Sequence, residues 1–225
     1  MKKLDTLKQY IANFGYFDTL VFIWISVLNK AIGFQQLEIV IITQESLNRS
    51  YLDLPQGYNS AFVDRDSLIQ QAQLNSQLEL EESFLDQAFK KQDRCYGIFH
   101  GEELISYGWY SNQPTDISDE LVFQFDSSYV YMYKGLTLKS HRGRRLHAIG
   151  MSQALLAVVE SGSRAIVSYV ERGNLASLRS IYRMGYKKLG SIYIFRICGR
   201  FFSIHTPGTR SVSAKVSSKN SRHGC

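Results

Sequence analysis

A cluster of cations around a glycine is the part of this sequence best suited to chemistry. Residues 139–148, which we call the basic turn, run Lys-Ser-His-Arg-Gly-Arg-Arg-Leu-His-Ala. At a helix start, the first main-chain N–H groups have no partners within the helix, and the helix dipole adds positive potential. Gly143 would let a ligand approach the main chain closely, and guanidinium groups suit phosphate oxygens. The basic turn is therefore predicted to bind a diphosphate.

The segments on either side of the basic turn have the periods of a strand and a helix. Tyrosines at positions 129, 131 and 133 alternate with apolar residues, which is the pattern of a β-strand. From Leu146 to about Glu160, apolar residues recur at three- and four-residue steps, as on one side of a helix. The turn therefore joins the end of a strand to the start of a helix.

Composition predicts one domain with appendages. The chain has 225 residues, of which 44% are hydrophobic and 20% charged. Residues 203–225 supply four of the six net positive charges, so the basicity is largely a property of this end and no nucleic-acid partner is expected. This end is rich in serine without an apolar period, which predicts a disordered basic tail. The three cysteines lack metal-ligand spacing, so free thiols in a cytoplasmic protein are expected, with no metal.

The N-terminal residues form a separate element. Residues 4–32 predict a long helix within an N-terminal segment of residues 1–35, and its continuous apolar part, Leu20 to Leu28, is too short to span a membrane. Two alternatives remain for this helix. One is packing on the domain or self-association, and the other is peripheral contact with the inner face of a membrane.

The remaining segments, residues 36–202, alternate between strand and helix patterns. Strands are predicted at residues 37–43, at a hairpin of residues 95–100 and 104–110, at 165–170 and over 186–197, with a further strand or loop segment at 121–125. Helices are predicted near residues 65–74 and 80–91, and from an N-cap at Asn174 to a stop at Gly185. This order predicts a mixed α/β (α+β) fold.

The strand, basic turn, helix and Asn-containing helix together resemble the GCN5-related N-acetyltransferase (GNAT) superfamily over roughly residues 93–198. The turn of that family, Gln/Arg-x-x-Gly-x-Gly/Ala, is similar to the segment from Arg142 to His147. A later element, Asn-x-x-Ser followed by Gly-Tyr, is matched by Asn174, Ser177 and the pair at 185–186.

The resemblance implies that an acyl-coenzyme A binds in a V-shaped gap between splayed parallel strands. Its pantetheine arm would pair with the end of the first strand, and its pyrophosphate would lie on the amides of the turn. Asn174 would contact the coenzyme or hold the following loop. The implied cofactor-binding residues are Leu136, Thr137, Leu138, Arg142, Gly143, Arg144, Arg145, Leu146, His147, Ala148 and Asn174.

The sequence departs from this family at the positions that handle protons. Many members carry a tyrosine seven residues after the Asn, and this chain has Ile181 there with Tyr182 beside it. A carboxylate used as the base in some members is replaced by Tyr169, and Glu171 follows on the same strand face. Glu171, Tyr182 and Tyr169 are therefore the candidate catalytic residues, and the identity of the base is open.

Three functions follow from these observations. The first is an N-acetyltransferase that moves an acyl group, acetyl in the first instance, from acyl-coenzyme A to an amine by direct attack. The second is an enzyme similar to N-acyl amino acid synthases, which takes a long acyl chain from an acyl carrier protein. The third is a non-catalytic coenzyme-binding or interaction module. A tunnel behind the tyrosines at 131 and 133 would favour the second, and the acceptor amine is not specified by any motif.

Overall fold

The computed structural model describes residues 10–219. Residues 10–14 are helical, and Gly15 separates them from the first full helix. The helices are α1 Tyr16–Ile32, α2 Arg65–Leu74, α3 Glu82–Lys90, α4 Leu146–Glu160 and α5 Leu175–Met184. The helix predicted over residues 4–32 is thus interrupted at Gly15, and its residues 4–9 lie outside the described part.

Eight strands form the main sheet and three form a smaller one. The main sheet has the order β10-β9-β1-β8-β7-β4-β3-β2, and the small sheet has the order β11-β6-β5. The strands are β1 Gln35–Ile42, β2 Tyr58–Val63, β3 Arg94–His100, β4 Glu103–Ser111, β5 Thr115–Asp116, β6 Leu121–Gln124, β7 Val130–Thr137, β8 Ile166–Glu171, β9 Lys187–Ile197, β10 Arg200–His205 and β11 Lys215–Ser218. The predicted mixed fold is confirmed.

The parallel pair β7 and β8 joins the two halves of the main sheet. Its register contains only Val130 opposite Ile166 and Tyr131 opposite Val167, although β7 continues to Thr137. The other strand pairs of the main sheet are antiparallel. Past Tyr131, β7 therefore presents main-chain groups to β8 without ladder partners on that side.

Side chains of successive residues divide the core between the two faces of the sheet. On β8, Ile166 belongs to a cluster with α4 and α5, whereas Val167 belongs to a cluster with the small sheet. On β4, Tyr110 faces α4, whereas the Trp109 ring contacts the rings of Phe84 and Phe89 on α3. Helices α4 and α5 thus cover one face, and α3 with the small sheet covers the other.

Local capping explains where helix α5 begins and ends. Asn174 accepts a hydrogen bond from the N–H of Ser177, at 3.1 Å, and so caps α5 as predicted. Gly185 ends α5 with a φ of +107°, and a β-carbon there would collide with the carbonyl of Ser46. The prediction for this helix is confirmed at both ends.

Residues 203–219 correct the prediction of a disordered tail. They form the end of β10, a turn at Pro207–Val212, and β11, which pairs with β6. Val212, Ala214 and Val216 are buried against the main sheet. These short apolar side chains occur between serines, so they gave no strong hydrophobic signal in sequence, yet they cover one face of the sheet. Residues 220–225 lie outside the described part.

Strand β2 is a further element that the sequence patterns do not predict. Its burial alternates along the strand, as expected for an edge strand, and it pairs with β3 over its length.

Helix α1 keeps an exposed apolar stripe. Tyr16, Phe17, Leu20, Trp24 and Val27 are all more than half exposed. The helix is fastened to the domain by Asp18, which accepts from Arg172 at 2.7 Å, and by Phe22, which lies against Gly173. Within residues 10–219, no helix combines the length and apolar character needed to cross a bilayer.

Candidate functional site

The basic turn leaves β7 and enters α4 through two residues with positive φ. Gly143 has a φ of +80° and Arg145 a φ of +62°, and helix α4 starts at the next residue. The amide of Ile149 bonds back to the carbonyl of Arg145 at 3.0 Å. Among the described residues, no protein group accepts a hydrogen bond from the main-chain amides of residues 143–148. Free amides at the start of a helix are the arrangement on which the prediction of a diphosphate site depends.

These amides border a cavity of about 660 Å³, which we call the cationic cavity. One wall comes from Thr137 and the basic turn, and the other comes from one face of α5 with Ala176, Arg179, Ser180 and Arg183. Tyr51 and residues 13–14 of the N-terminal segment complete the lining. The cavity thus separates the start of α4 from the side of α5.

Four arginines give the cavity its charge. Arg142 and Arg145 come from the basic turn, and Arg179 and Arg183 come from α5. Within residues 10–219, none of the four is paired with a carboxylate. Arg142 donates from Nε to the carbonyl of Thr137, at 3.1 Å, while Arg179 stacks on Phe14 at 4.5 Å. Unpaired cations beside free amides suit a ligand with several negative charges.

Most predicted cofactor-binding residues line this cavity, but four do not. Leu136 and Leu138 pack into the core, with Leu138 fully buried. Arg144 turns away and donates to the hydroxyl of Tyr58 at 2.6 Å. Asn174 caps α5 and lines a different cavity, of about 490 Å³, under α1.

Sequence reasoning missed Arg179, Arg183 and Tyr51. The two arginines are four residues apart on the face of α5 that also carries Ala176 and Ser180, so their spacing within the predicted helix is the signal that could have found them. Tyr51 comes from a single helical turn at Arg49–Tyr51, far away in sequence, and no local pattern indicates its position.

The gap between β7 and β8 opens beside the cavity. A β-bulge leaves Tyr133 opposite no residue of β4, since Trp109 pairs with Lys134 and Tyr110 pairs with Met132. The ring of His147, whose pKa is lowered by burial, lies against Gly135, where any β-carbon would collide with it. Beyond Tyr131, the edge of β7 that faces β8 has no ladder partner, and Thr137 at the end of this strand lines the cationic cavity.

Glu171 lies at the exposed end of β8. It lines the cavity under α1 together with Phe22 and Asn174, rather than the cationic cavity. The next residue, Arg172, bridges Asp18 of α1 at 2.7 Å and the buried carboxylate of Glu38 at 3.3 Å. The end of β8 is thus covered by the N-terminal segment.

Tyr169 and Tyr182 are held by other side chains. Tyr169 stacks on Tyr131 with ring centroids 5.9 Å apart, and burial raises the pKa of its hydroxyl. Tyr182 donates to Glu38 at 2.7 Å, and burial together with this hydrogen bond raises the pKa of Tyr182. Ala176, Arg179 and Arg183 mark the face of α5 that lines the cavity, and Tyr182 is not part of it.

The sequence matches no protein-family model and no curated protein. Solved structures do resemble the chain. A GCN5-related N-acetyltransferase-like protein from Streptococcus suis is 17% identical, with a TM-score of 0.50 over 76% of this chain and 65% of the other. An acetyltransferase of the GNAT family from Colwellia psychrerythraea is 15% identical, with a TM-score of 0.50 over 72% and 56%. The chain therefore spans roughly 56–65% of the length of these two structures. It has the fold of the GCN5-related N-acetyltransferases.

Proposed function

We propose that this protein is an N-acyltransferase that carries an acyl group from acyl-coenzyme A to an amine. The observation that supports it most is the cationic cavity: free amides at the start of α4 and four unpaired arginines stand next to the unpaired edge of a parallel strand. A coenzyme with linked phosphates and an amide-bearing arm has the chemistry to fill both parts. The GNAT fold supports the same assignment.

In this proposal each part of the cavity has a task. The amides of residues 143–148 receive the two linked phosphates, and Arg142, Arg145 and the two arginines of α5 offset their charge. The pantetheine arm lies along the free edge of β7 near Thr137 and forms main-chain hydrogen bonds there.

Transfer then depends mainly on position. The amine and the thioester are held together in one ternary complex, so attack is effectively intramolecular. A main-chain N–H of β7 at the gap stabilises the oxyanion that develops on the thioester carbon. Glu171, the first candidate base from sequence, lines the cavity under α1 and not the cationic cavity. Tyr169 and Tyr182 are engaged by their neighbours and serve to hold the strand end and α5.

The acyl group is proposed to be short, acetyl above all. Phe123 and Phe125 pack against Tyr131 with ring centroids 4.9 and 5.7 Å away, and Tyr169 stacks on its other side. These rings fill the space where a long alkyl chain would need a tunnel. They thus favour coenzyme-bound acetyl over a long chain on a carrier protein.

The first test places an anion in the phosphate site. Gly143→Glu should weaken binding of acetyl-coenzyme A by about two orders of magnitude, or ~2.7 kcal/mol, because a carboxylate would occupy the site of the phosphates and repel them. Isothermal titration calorimetry on the full chain measures this change. Thermal unfolding reports whether the variant is folded.

Gly162→Glu is the matched control. Gly162 follows the opposite end of α4, and both glycines have positive φ, +80° and +95°, with open space where a β-carbon would lie. Backbone strain is therefore similar in the two variants, and only the location differs. Equal affinities of Gly143→Glu and the wild type, or equal losses in both variants, would remove the basic turn from the coenzyme site.

A further inference from the structure

Another pocket lies on the face of the sheet opposite the cationic cavity. Its volume is about 340 Å³, and Asp93, Tyr133, Lys91, Lys134 and the ring of Phe84 line it. We call it the Asp93 pocket. None of its lining residues belongs to the cationic cavity.

Asp93 is a buried carboxylate with spare hydrogen-bonding capacity. Its side chain is 1% exposed, and its Oδ2 atom accepts from the Tyr133 hydroxyl at 2.8 Å and lies 3.0 Å from Lys91 Nζ. Its Oδ1 atom has no hydrogen-bond partner among residues 10–219. Leaving a buried carboxylate oxygen without a hydrogen-bond donor is costly, so Asp93 depends on Tyr133 and Lys91 for its stabilisation.

Tyr133 places this carboxylate at the gap between the parallel strands. It is the bulged residue of β7, two positions after the last residue that pairs with β8. Because of the bulge, Tyr133 and Lys134 both line the Asp93 pocket although they are neighbours on one strand. The Asp93 pocket therefore lies, on the face covered by α3, beside the same stretch of β7 at which the coenzyme arm would end.

We infer that the Asp93 pocket binds the acceptor as a small primary amine, and that Tyr133 and Asp93 together form the relay that takes its proton. This inference rests on the proposed acyl transfer. The volume is near the lower end of small-molecule sites, so the pocket fits a compact amine. Lys134 Nζ lies over the ring of Phe84 at 4.1 Å and Lys91 Nζ over the ring of Tyr133 at 5.1 Å, so two cations share the pocket with the carboxylates of Asp93 and Asp116.

In the first step, the ammonium of the acceptor passes one proton to Tyr133 Oη while Tyr133 passes its own proton to Asp93 Oδ2. The neutral amine attacks the thioester carbon, the C–N bond forms and the C–S bond breaks. The departing thiolate takes a second proton from the same nitrogen. The products are the amide, free coenzyme A and a proton on Asp93 that returns to water.

The surroundings of the relay keep Tyr133 protonated at neutral pH, because burial first, and then the negative charge of Asp93, raise the pKa of its hydroxyl. Burial lowers the pKa of Lys134. The other titratable groups at the pocket and beside it are Lys91 and Asp116 in the lining, Cys95 behind Tyr133, and Glu79 and Glu81 in the adjoining groove.

The test compares Tyr133→Phe with Tyr129→Phe in the full-length protein. Both variants lose one hydroxyl, but Tyr129 precedes β7 and packs under Arg164 at 4.9 Å, outside both pockets. With acetyl-coenzyme A and a panel of propylamine, benzylamine and phenethylamine, Tyr133→Phe should lower kcat at pH 7 by about 10²–10³-fold. The deficit should shrink as the pH approaches the pKa of the amine, since a neutral amine needs no relay.

Four results would overturn the inference. Three are a wild-type rate for Tyr133→Phe at pH 7, a deficit that stays constant with pH, and no turnover of any panel amine by the wild type. The fourth is a larger loss for Glu171→Gln than for Tyr133→Phe in the same assay. Asp93→Asn should reproduce the pH-dependent deficit.

Affinity for acetyl-coenzyme A separates this inference from the proposed function. It should be unchanged in Tyr133→Phe, because Tyr133 lies outside the cationic cavity. A wild type that binds the coenzyme yet ignores Tyr133 refutes the relay alone. A wild type that does not bind the coenzyme refutes the proposed acyl transfer itself.

Discussion

The two faces of the sheet at β7 are built in opposite ways. On the face of α4 and α5, a cavity of about 660 Å³ is lined by four arginines without carboxylate partners. On the other face, the small sheet packs the buried rings of Phe123 and Tyr131 against β8. The first face keeps polar groups unsatisfied, whereas the second is mostly closed and apolar.

This difference separates binding from stability. A surface that leaves amides and cations unpaired contributes little to folding and is ready for an anion, while the aromatic face supplies the packing that holds β7 and β8 in place. On the closed face, Asp93 Oδ1 and Trp109 Nε1 are buried polar atoms without a hydrogen-bond partner among residues 10–219. Substitutions on the open face should therefore change the affinity for the coenzyme, whereas substitutions on the closed face should change the free energy of unfolding.

The largest expected effect is on the closed face. Phe123→Ala should lower the free energy of unfolding by about 3–5 kcal/mol, because it removes a fully buried ring and leaves a cavity between Tyr131 and Tyr169. Chemical denaturation measures this loss. The affinity for acetyl-coenzyme A should stay near that of the wild type under conditions where the variant is folded.

Phe125→Ala is the comparison for that loss. Phe125 stacks on Phe123 at 5.6 Å but is only partly buried, so its removal should cost clearly less. If the two variants lost equal stability, or if Phe123→Ala lost coenzyme affinity in proportion to stability, the separation of the two faces would be wrong.

A smaller effect is expected on the open face. Arg179→Ala should weaken acetyl-coenzyme A binding about tenfold, or ~1.4 kcal/mol, and this difference should shrink in high salt because the cation is exposed. Stability should barely change. Arg210→Ala, which removes an exposed arginine that does not line the cavity, is the control in the same titrations. An equal change in both would mean that overall charge, not position, governs binding.

The smallest expected effect is a pH dependence of the stability that comes from His147. Burial lowers the pKa of His147 in the folded chain below the usual histidine value of about 6.5. As the pH falls below that value, the unfolded chain binds the proton before the folded chain does, so stability decreases. Stability from this group is complete above pH 6.5 and is lost toward acid. The difference in melting temperature between pH 7.5 and 5.5 should be smaller for His147→Gln, and an unchanged difference contradicts this account.

The sequence predicted those parts of the fold that rest on local patterns. The strand, basic turn and helix from residue 129 to 160, and the helix between Asn174 and Gly185, follow from periodicity and capping within short windows. Strand β11 could not be predicted in this way, because Val216 becomes a core residue only through pairing with β6. The candidate site likewise has one part that local sequence predicts and another that depends on tertiary contacts. The amides of the basic turn were evident, but Asp93, which resembles a turn residue before a strand, gains its partner from Tyr133 forty positions later.

The short register between β7 and β8 has a consequence for how the molecule behaves with and without an occupant. Two residue pairs are a narrow link between two four-stranded halves, so the halves should twist against each other more readily than neighbouring strands elsewhere in the sheet. A molecule that lies in the gap and forms hydrogen bonds with both β7 and β8 would link the two halves as an additional strand does. Its binding would then make the whole protein more rigid, and its release would restore the twisting motion between the halves.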